Sequence, residues 1–271
     1  KNRAHTDYNI WTTTGRPSNK FGGVNYAALP KESGCRGAFV SRWERGMLLE
    51  MDFDAYHPRL IADIIGYDLP EGSIHEYFAK QYCKVIHLDK GLIPFNLYPY
   101  QEKMFDSFTD NRFNIVLACR QSGKSIAVVA YLLWYAIFKG EQVVGVLANK
   151  NAIAREMLAR ITLMLENLPF FLQPGCTILN KGSIGFSNNS RIIAAATSSS
   201  SIRGMSLNLV YLDEFAFVEN ATEFYTSTYP VISSGKTSKI IITSTANGIG
   251  NMFHKLYEGA IQGTNEFKSI R

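Results

Sequence analysis

The pattern of apolar and polar positions divides the chain into two parts. From about Phe113 onward, short runs rich in β-branched residues alternate with longer segments of helical periodicity, which indicates a parallel sheet covered by helices. The predicted helices are 124–138, apolar on all sides, and 151–167, which is amphipathic. The predicted strands are mostly apolar, as strands buried on both faces must be, and span residues 113–118, 142–148, 191–197, 207–213 and 239–245.

The first ninety or so residues follow a different pattern. A segment punctuated by glycine and proline, 14–23, is followed by a strand-like run at 47–53 and a helical stretch at 58–66. The change between the two patterns falls within 72–89, which lacks the composition of a flexible linker. We therefore predict a small α+β part over residues 1–80 and an α/β domain with helices on both faces of its sheet over 84–271.

Composition and charge narrow the picture only slightly. A net charge of +5 permits a polyanionic partner but is too small to indicate one. The four cysteines lie far apart, without the paired spacing of a zinc site, and this favours a reducing compartment. The longest apolar run, 126–138, is shorter than the ~20 residues that cross a bilayer, so we expect no membrane association. Neither end reads as a natural terminus, and we expect a fragment at both ends.

A phosphate-binding loop is predicted where the first strand of the α/β part meets its first helix. Backbone N–H groups and a helix N-terminus suit the β-phosphate of a nucleotide, and Gly123 permits close approach. Lys124 can reach the β- and γ-phosphates, and the Ser125 hydroxyl can bind Mg²⁺. The first glycine of the usual pattern is replaced by Ala118. The segment contains Cys119, Arg120, Gln121, Ser122, Gly123, Lys124 and Ser125.

Two adjacent acids end the strand at 207–213. In the chemistry that a phosphate loop implies, Asp213 would hold Mg²⁺ and Glu214 would be the general base that activates water. The alternative is a solvated loop start, because acidic residues also favour strand ends. A second strand end carries Thr243, Ser244 and Thr245, at the edge where open α/β sheets bind ligands. These residues are candidates to sense the γ-phosphate, or they form an ordinary turn.

Further residues are candidates for nucleotide chemistry. Hydrolysis needs a cation beside the developing charge on the γ-phosphate, and the candidates are Arg120, acting in cis, and Arg203, acting on a neighbouring subunit or on DNA. Either is equally well read as a surface arginine. Upstream, Tyr100 and Gln101 offer stacking and an amide edge suited to adenine, although this pair also fits plain packing at a helix start.

Residues 84–271 resemble the ATPase domain of phage terminase large subunits of the T4-like type. The resemblance rests on Tyr100-Gln101, the phosphate loop with its missing first glycine, Leu212-Asp213-Glu214 and Thr243-Ser244-Thr245. It implies a RecA/ASCE-like P-loop fold, ATP and Mg²⁺ as cofactors, and hydrolysis that powers packaging of double-stranded DNA into procapsids. It also implies a homo-oligomeric ring, a portal protein and a small subunit as partners, a location in the host cytoplasm and transiently at the portal, and a nuclease domain after residue 271.

Residues 1–80 resemble a fragment of the palm of family A DNA polymerases. On that resemblance Arg16 would lie against the primer-template, and Asp52 would be a metal-binding carboxylate. No second carboxylate cluster follows, so we expect no polymerase activity; an unrelated α+β domain is the alternative. The two parts suggest a chimera of two phage genes. Two other functions stay open for the whole chain: a helicase-type remodelling ATPase, and a DNA polymerase fragment fused to an inactive passenger.

Overall fold

The computed structural model of the chain describes residues 7–9, 18–19, 64, 73–197, 205–233 and 235–271. It divides into two compact units, Lys1–Leu69 and Pro70–Arg271. In the first unit, strand β1 (Tyr8–Asn9) pairs antiparallel with β2 (Ser18–Asn19). The predicted elements at 47–53 and 58–66 and the polymerase-like residues Arg16 and Asp52 lie outside the described residues, Ile64 excepted. The same is true of Arg203 in the second unit.

The second unit contains most of the described secondary structure. Its α-helices are α1 (Ile74–Tyr82), α2 (Pro99–Asp110), α3 (Lys124–Phe138), α4 (Asn151–Glu166), α5 (Ala221–Ser233) and α6 (Met252–Gln262). Its strands are β3 (Lys84–His87), β4 (Gly91–Pro94), β5 (Phe113–Leu117), β6 (Val143–Ala148), β7 (Cys176–Leu179), β8 (Ser183–Phe186), β9 (Arg191–Ala196), β10 (Leu209–Leu212), β11 (Lys239–Ser244) and β12 (Lys268–Ile270). Within the described part of the chain, no helix has the length and apolar character needed to span a bilayer.

Eight of these strands form one sheet in the order β12-β5-β11-β10-β6-β9-β8-β7. The six strands from β12 to β9 run parallel, and β8 and β7 continue the sheet antiparallel. The five predicted strands and the two predicted helices are confirmed, with ends that shift by at most a few residues. The predicted α/β class is therefore confirmed.

Helices cover both faces of the sheet, because strand side chains alternate between two cores. On one face Val116, Tyr211 and Ile241 pack with helices α1 to α4. On the other face Ile115 and Ile240 pack with α5 and α6. Helix α3 is apolar all round because it is enclosed by the sheet and by neighbouring helices. Helix α1 contributes Phe78 and Ala79 to the same core, so it belongs structurally to the second unit.

A buried ammonium group ties strand β11 to helix α2. Lys239 Nζ donates to the carbonyl oxygens of Phe108 (2.6 Å), Thr109 (2.8 Å) and Asn111 (3.0 Å). The last carbonyls of a helix lack partners within the helix, and a cation there also suits the helix dipole. Burial lowers the pKa of Lys239 to about 8, so the ammonium is still mostly protonated at pH 7. The start of β11 is thereby fixed to the end of α2.

Replacing this lysine tests the attachment. We expect Lys239→Met, which keeps most of the side-chain volume, to lower the free energy of unfolding by about 1–3 kcal/mol, because buried carbonyl oxygens lose their donor. Urea unfolding followed by circular dichroism measures the change. The exposed Lys236, three residues earlier, supplies the matched control Lys236→Met, which should leave stability unchanged. Equal stability of the two variants would contradict a structural role for the Lys239 contacts.

Candidate functional site

The predicted phosphate loop joins β5 to α3 and has the backbone that such a loop requires. Gly123 has φ +83° and Gln121 has φ +58°, both in the left-handed region that disfavours most side chains. A Cβ atom on Gly123 would also lie 2.9 Å from Gln101 Nε2, so this position needs glycine for space as well as conformation. The loop begins beside β11, where Ala118 N donates to Ser244 O at 3.2 Å.

Helix α2 holds this loop from outside. Tyr100 donates its hydroxyl hydrogen to the carbonyl oxygen of Ser122, and Gln101 Nε2 donates to Gly123 O at 3.0 Å. Gln101 Oε1 accepts from Tyr98 N at 2.8 Å and the residue is almost fully buried. Both ends of the Gln101 amide are therefore engaged with backbone atoms. The structure shows Tyr100 and Gln101 positioning the loop, and their contact with adenine stays a prediction.

The strongest charge contact of the site joins the loop to the second acid of the acidic pair. Lys124 Nζ lies 2.7 Å from Glu214 Oε1, and the Lys124 side chain is only 6% exposed. Burial by itself would raise the pKa of the Glu214 carboxyl, but the Lys124 ammonium and the Thr245 donors outweigh it and hold that pKa below its usual value. Glu214 is therefore ionised at neutral pH.

The first acid is held by three hydroxyl groups. Asp213 Oδ1 accepts a hydrogen bond from Tyr211 at 2.7 Å and lies 3.2 Å from Thr243 Oγ1 and 3.3 Å from Ser125 Oγ. Burial raises the pKa of Tyr211 well above its usual value, so its hydroxyl stays protonated and can donate. Sequence reasoning missed Tyr211. The period of two along β10 places it on the same face as Asp213, which is the signal that could have identified it.

The second acid is held at its other oxygen by the end of β11. Glu214 Oε2 accepts from Thr245 N at 2.9 Å and from Thr245 Oγ1 at 3.0 Å, and Ser244 Oγ lies 3.4 Å away. Ser244 Oγ also accepts from Ala216 N at 3.1 Å. Glu214 itself has φ +48°, an uncommon conformation for a residue other than glycine. The structure thus brings the predicted Thr-Ser-Thr segment against both acids.

These groups surround a cavity of about 560 Å³. Its wall includes the phosphate loop from Arg120 to Ser125, together with Glu214 and Thr245. The Arg120 guanidinium lies 5.9 Å from the centre of the Phe217 ring. The wall also includes residues that sequence reasoning missed, namely Asn149, Ile153, Arg160 and Phe217. Asn149 directly follows β6 at the carboxyl edge of the sheet, and that position was the available signal.

A second cavity, of about 480 Å³, lies on another side of the same loop. Its lining is mostly apolar and includes Tyr100, Leu117, Ala118, Ala246 and Arg271. The rings of Tyr98 and Tyr100 are stacked, with centroids 6.0 Å apart. The two cavities therefore differ in character, one charged and one suited to a flat apolar group.

The oxygen groups of the site fit a magnesium nucleotide. Ser125 and Asp213 present a hydroxyl and a carboxylate beside each other, which are hard oxygen ligands of the kind Mg²⁺ prefers alongside water and phosphate. The Ser122 hydroxyl oxygen is buried without a hydrogen-bond partner, so the loop has an unused polar atom. Among the described residues, no group of three or more His, Cys, Asp or Glu forms a metal site made by protein ligands alone.

Comparison with known structures gives the same fold. The large terminase of bacteriophage HK97 superposes with a TM-score of 0.61 at 18% identity, over 74% of this chain and 43% of that chain. The ATPase domain of the Thermus phage P74-26 large terminase gives 0.55 at 19% identity, over 65% and 80%. The large terminase of another thermophilic bacteriophage, in complex with ADP, gives 0.52 at 16% identity, over 65% and 45%.

The chain thus spans less than half of the HK97 terminase and of the terminase in complex with ADP. The polymerase resemblance of residues 1–80 finds no support in these comparisons. The family described as "Terminase large subunit, T4likevirus-type, N-terminal" matches residues 115–271. Because this match covers more than half of the chain and includes the phosphate loop, the acidic pair and the Thr-Ser-Thr segment, the chain belongs to the T4likevirus-type terminase large subunit family.

Proposed function

We propose that residues 84–271 are the ATP-hydrolysing motor domain of a phage terminase large subunit. The observation that carries this proposal is the convergence of Lys124, Ser125, Asp213 and Glu214 at one cavity, at the edge where β5 and β10 end. Lysine and hydroxyl beside two acids supply the phosphate clamp, metal ligands and general base of phosphoryl transfer. Membership of the terminase family supports the same activity.

The nucleotide would occupy both cavities, with the phosphate loop between them. The N–H groups of the loop and the N-terminus of α3 face the phosphates, and Lys124 supplies the cation. Gln121, Ser122 and Gly123 form the wall of the phosphate cavity, where the free Ser122 hydroxyl finds a partner. Adenine would enter the apolar cavity beside Tyr100, with Gln101 holding the loop at the right distance.

Mg²⁺ would be held by Ser125 and Asp213. When bound, it neutralises charge on the β- and γ-phosphate oxygens. The residues of the chain do the positioning: Tyr211 and Thr243 fix the Asp213 carboxylate from the side opposite the cavity and keep one of its oxygens oriented.

Hydrolysis requires the Lys124–Glu214 pair to separate. Lys124 moves to the incoming phosphates, which leaves Glu214 Oε1 free to accept a proton from the attacking water. Arg120, now over the Phe217 ring, would turn toward the γ-phosphate and stabilise its developing charge in cis. Arg203 is the candidate for the same role in trans, from a neighbouring copy.

The larger activity follows from the family. We propose that ATP hydrolysis by an assembled homo-oligomeric ring drives double-stranded DNA into a procapsid, with a portal protein and a small subunit as partners. The complex would act in the host cytoplasm and, transiently, at the portal. A helicase-type ATPase is the less favoured alternative, because the family match is to terminases. DNA-stimulated hydrolysis with packaging but without strand separation is the expected behaviour.

Two substitutions separate nucleotide binding from hydrolysis. Lys124→Ala should abolish both, because the phosphates lose their buried cation, whereas Glu214→Gln should abolish hydrolysis and retain binding, because only the proton acceptor is lost. Phosphate release and binding of a fluorescent ATP analogue measure the two properties. The exposed Glu219 provides the control Glu219→Gln, which should hydrolyse normally. Full hydrolysis by Glu214→Gln would refute the general-base assignment.

Mixing variants distinguishes the two arginines. If Arg203 acts in trans, an Arg203→Ala protein mixed with a Lys124→Ala protein should regain part of the lost hydrolysis, because some interfaces combine an intact loop with an intact arginine. Arg120→Ala mixed with Lys124→Ala should regain none if Arg120 acts in cis. Steady-state phosphate release at increasing mixing ratios is the measurement. Recovery by the Arg120 mixture would show that the cis assignment is wrong.

A further inference from the structure

The Glu214 carboxylate is held by different groups at its two oxygens. Oε1 contacts the Lys124 ammonium at 2.7 Å. Oε2 receives two hydrogen bonds from a single residue, Thr245, from its backbone N–H at 2.9 Å and from its hydroxyl at 3.0 Å. One oxygen thus depends on a cation that the nucleotide phosphates attract, and the other depends on a residue at the end of a buried strand.

The backbone at Glu214 makes this second support necessary. A glutamate at φ +48° adopts a sparsely populated conformation that persists only where its surroundings hold it. The Ser244 hydroxyl is a weaker holder, because it is 3.4 Å from Oε2 and also contacts Ala216 N and Thr245 O. Thr245 supplies the two shorter contacts to the carboxylate and is 6% exposed, so little water competes with it.

We propose that Thr245 is a positioning residue for the general base Glu214. Its two donors keep Oε2 in place when Lys124 leaves for the phosphates, so that Oε1 faces the attacking water without a search over side-chain rotamers. The inference rests on the proposed ATPase function. It assigns the Thr245 hydroxyl to the carboxylate and not to the γ-phosphate of the nucleotide.

This assignment has a kinetic signature. A residue that orients the base changes the chemical step and leaves nucleotide affinity alone, whereas a residue that binds the γ-phosphate changes affinity for ATP more than for ADP. The effect must also pass through Glu214. Removing the Thr245 hydroxyl should therefore have no consequence once the carboxylate itself is absent.

The test uses the full chain and isosteric substitutions. Thr245→Val removes the hydroxyl at constant shape, Thr245→Ser keeps it, and Thr237→Val, at an exposed site before the start of β11, controls for the exchange itself. We expect Thr245→Val to lower kcat by about tenfold or more. KM and the Kd for a fluorescent ATP analogue should change by less than about twofold. Thr245→Ser should restore most of kcat, and Thr237→Val should match the wild type.

A double variant completes the design. Thr245→Val combined with Glu214→Gln should hydrolyse ATP at the residual rate of Glu214→Gln alone. An additional independent loss would overturn the inference, as would a raised Kd for ATP with an unchanged Kd for ADP. Wild-type kcat in Thr245→Val, with an active wild type, would overturn this inference alone. A wild-type chain that binds nucleotide but never hydrolyses it would overturn the proposed function and this inference with it.

Discussion

The site depends on the position of one strand. Because β11 lies between β5 and β10, and all three run parallel, the phosphate loop, the Thr-Ser-Thr segment and the acidic pair end at the same edge of the sheet. The central strand contacts both neighbours: Ser244 O accepts from Ala118 N at the start of the loop, and Thr245 donates to Glu214. A sheet with β5 directly beside β10 would leave no residue in a position to do both.

The charges of the site balance one another in the absence of nucleotide. The buried Lys124 ammonium is compensated by Glu214, and the Asp213 carboxylate is surrounded by hydroxyl donors. A buried charge without a partner is costly, so this pairing keeps the empty site stable. It also sets the order of events, because phosphates that take Lys124 release the carboxylate oxygen needed for chemistry. The same contact therefore stabilises the empty state and prevents a free base from forming without substrate.

Sequence reasoning predicted the frame of the site better than its contacts. Buried parallel strands and the all-apolar α3 carry strong local patterns, so β5, β6, β9, β10 and β11 could be placed closely. The hairpin strands β7 and β8 and the short β12 were missed, because strands of three or four residues have little periodicity. Tyr211 and Arg160 were missed for another reason. Their place beside the site follows from strand register and helix packing, which no local motif encodes.

Helix α2 completes a closed arrangement around the phosphate loop. Its first turn holds the loop through Tyr100 and Gln101, and its last carbonyls bind Lys239 at the start of β11, whose other end holds Glu214. The loop and the acid both carry residues with positive φ, Gln121 and Glu214, which cost roughly 1–3 kcal/mol each. Such conformations persist only if several fixed elements oppose their relaxation. The connected path from α2 through β11 supplies that opposition, so a substitution as distant as Lys239 acts on the same frame that orients the general base.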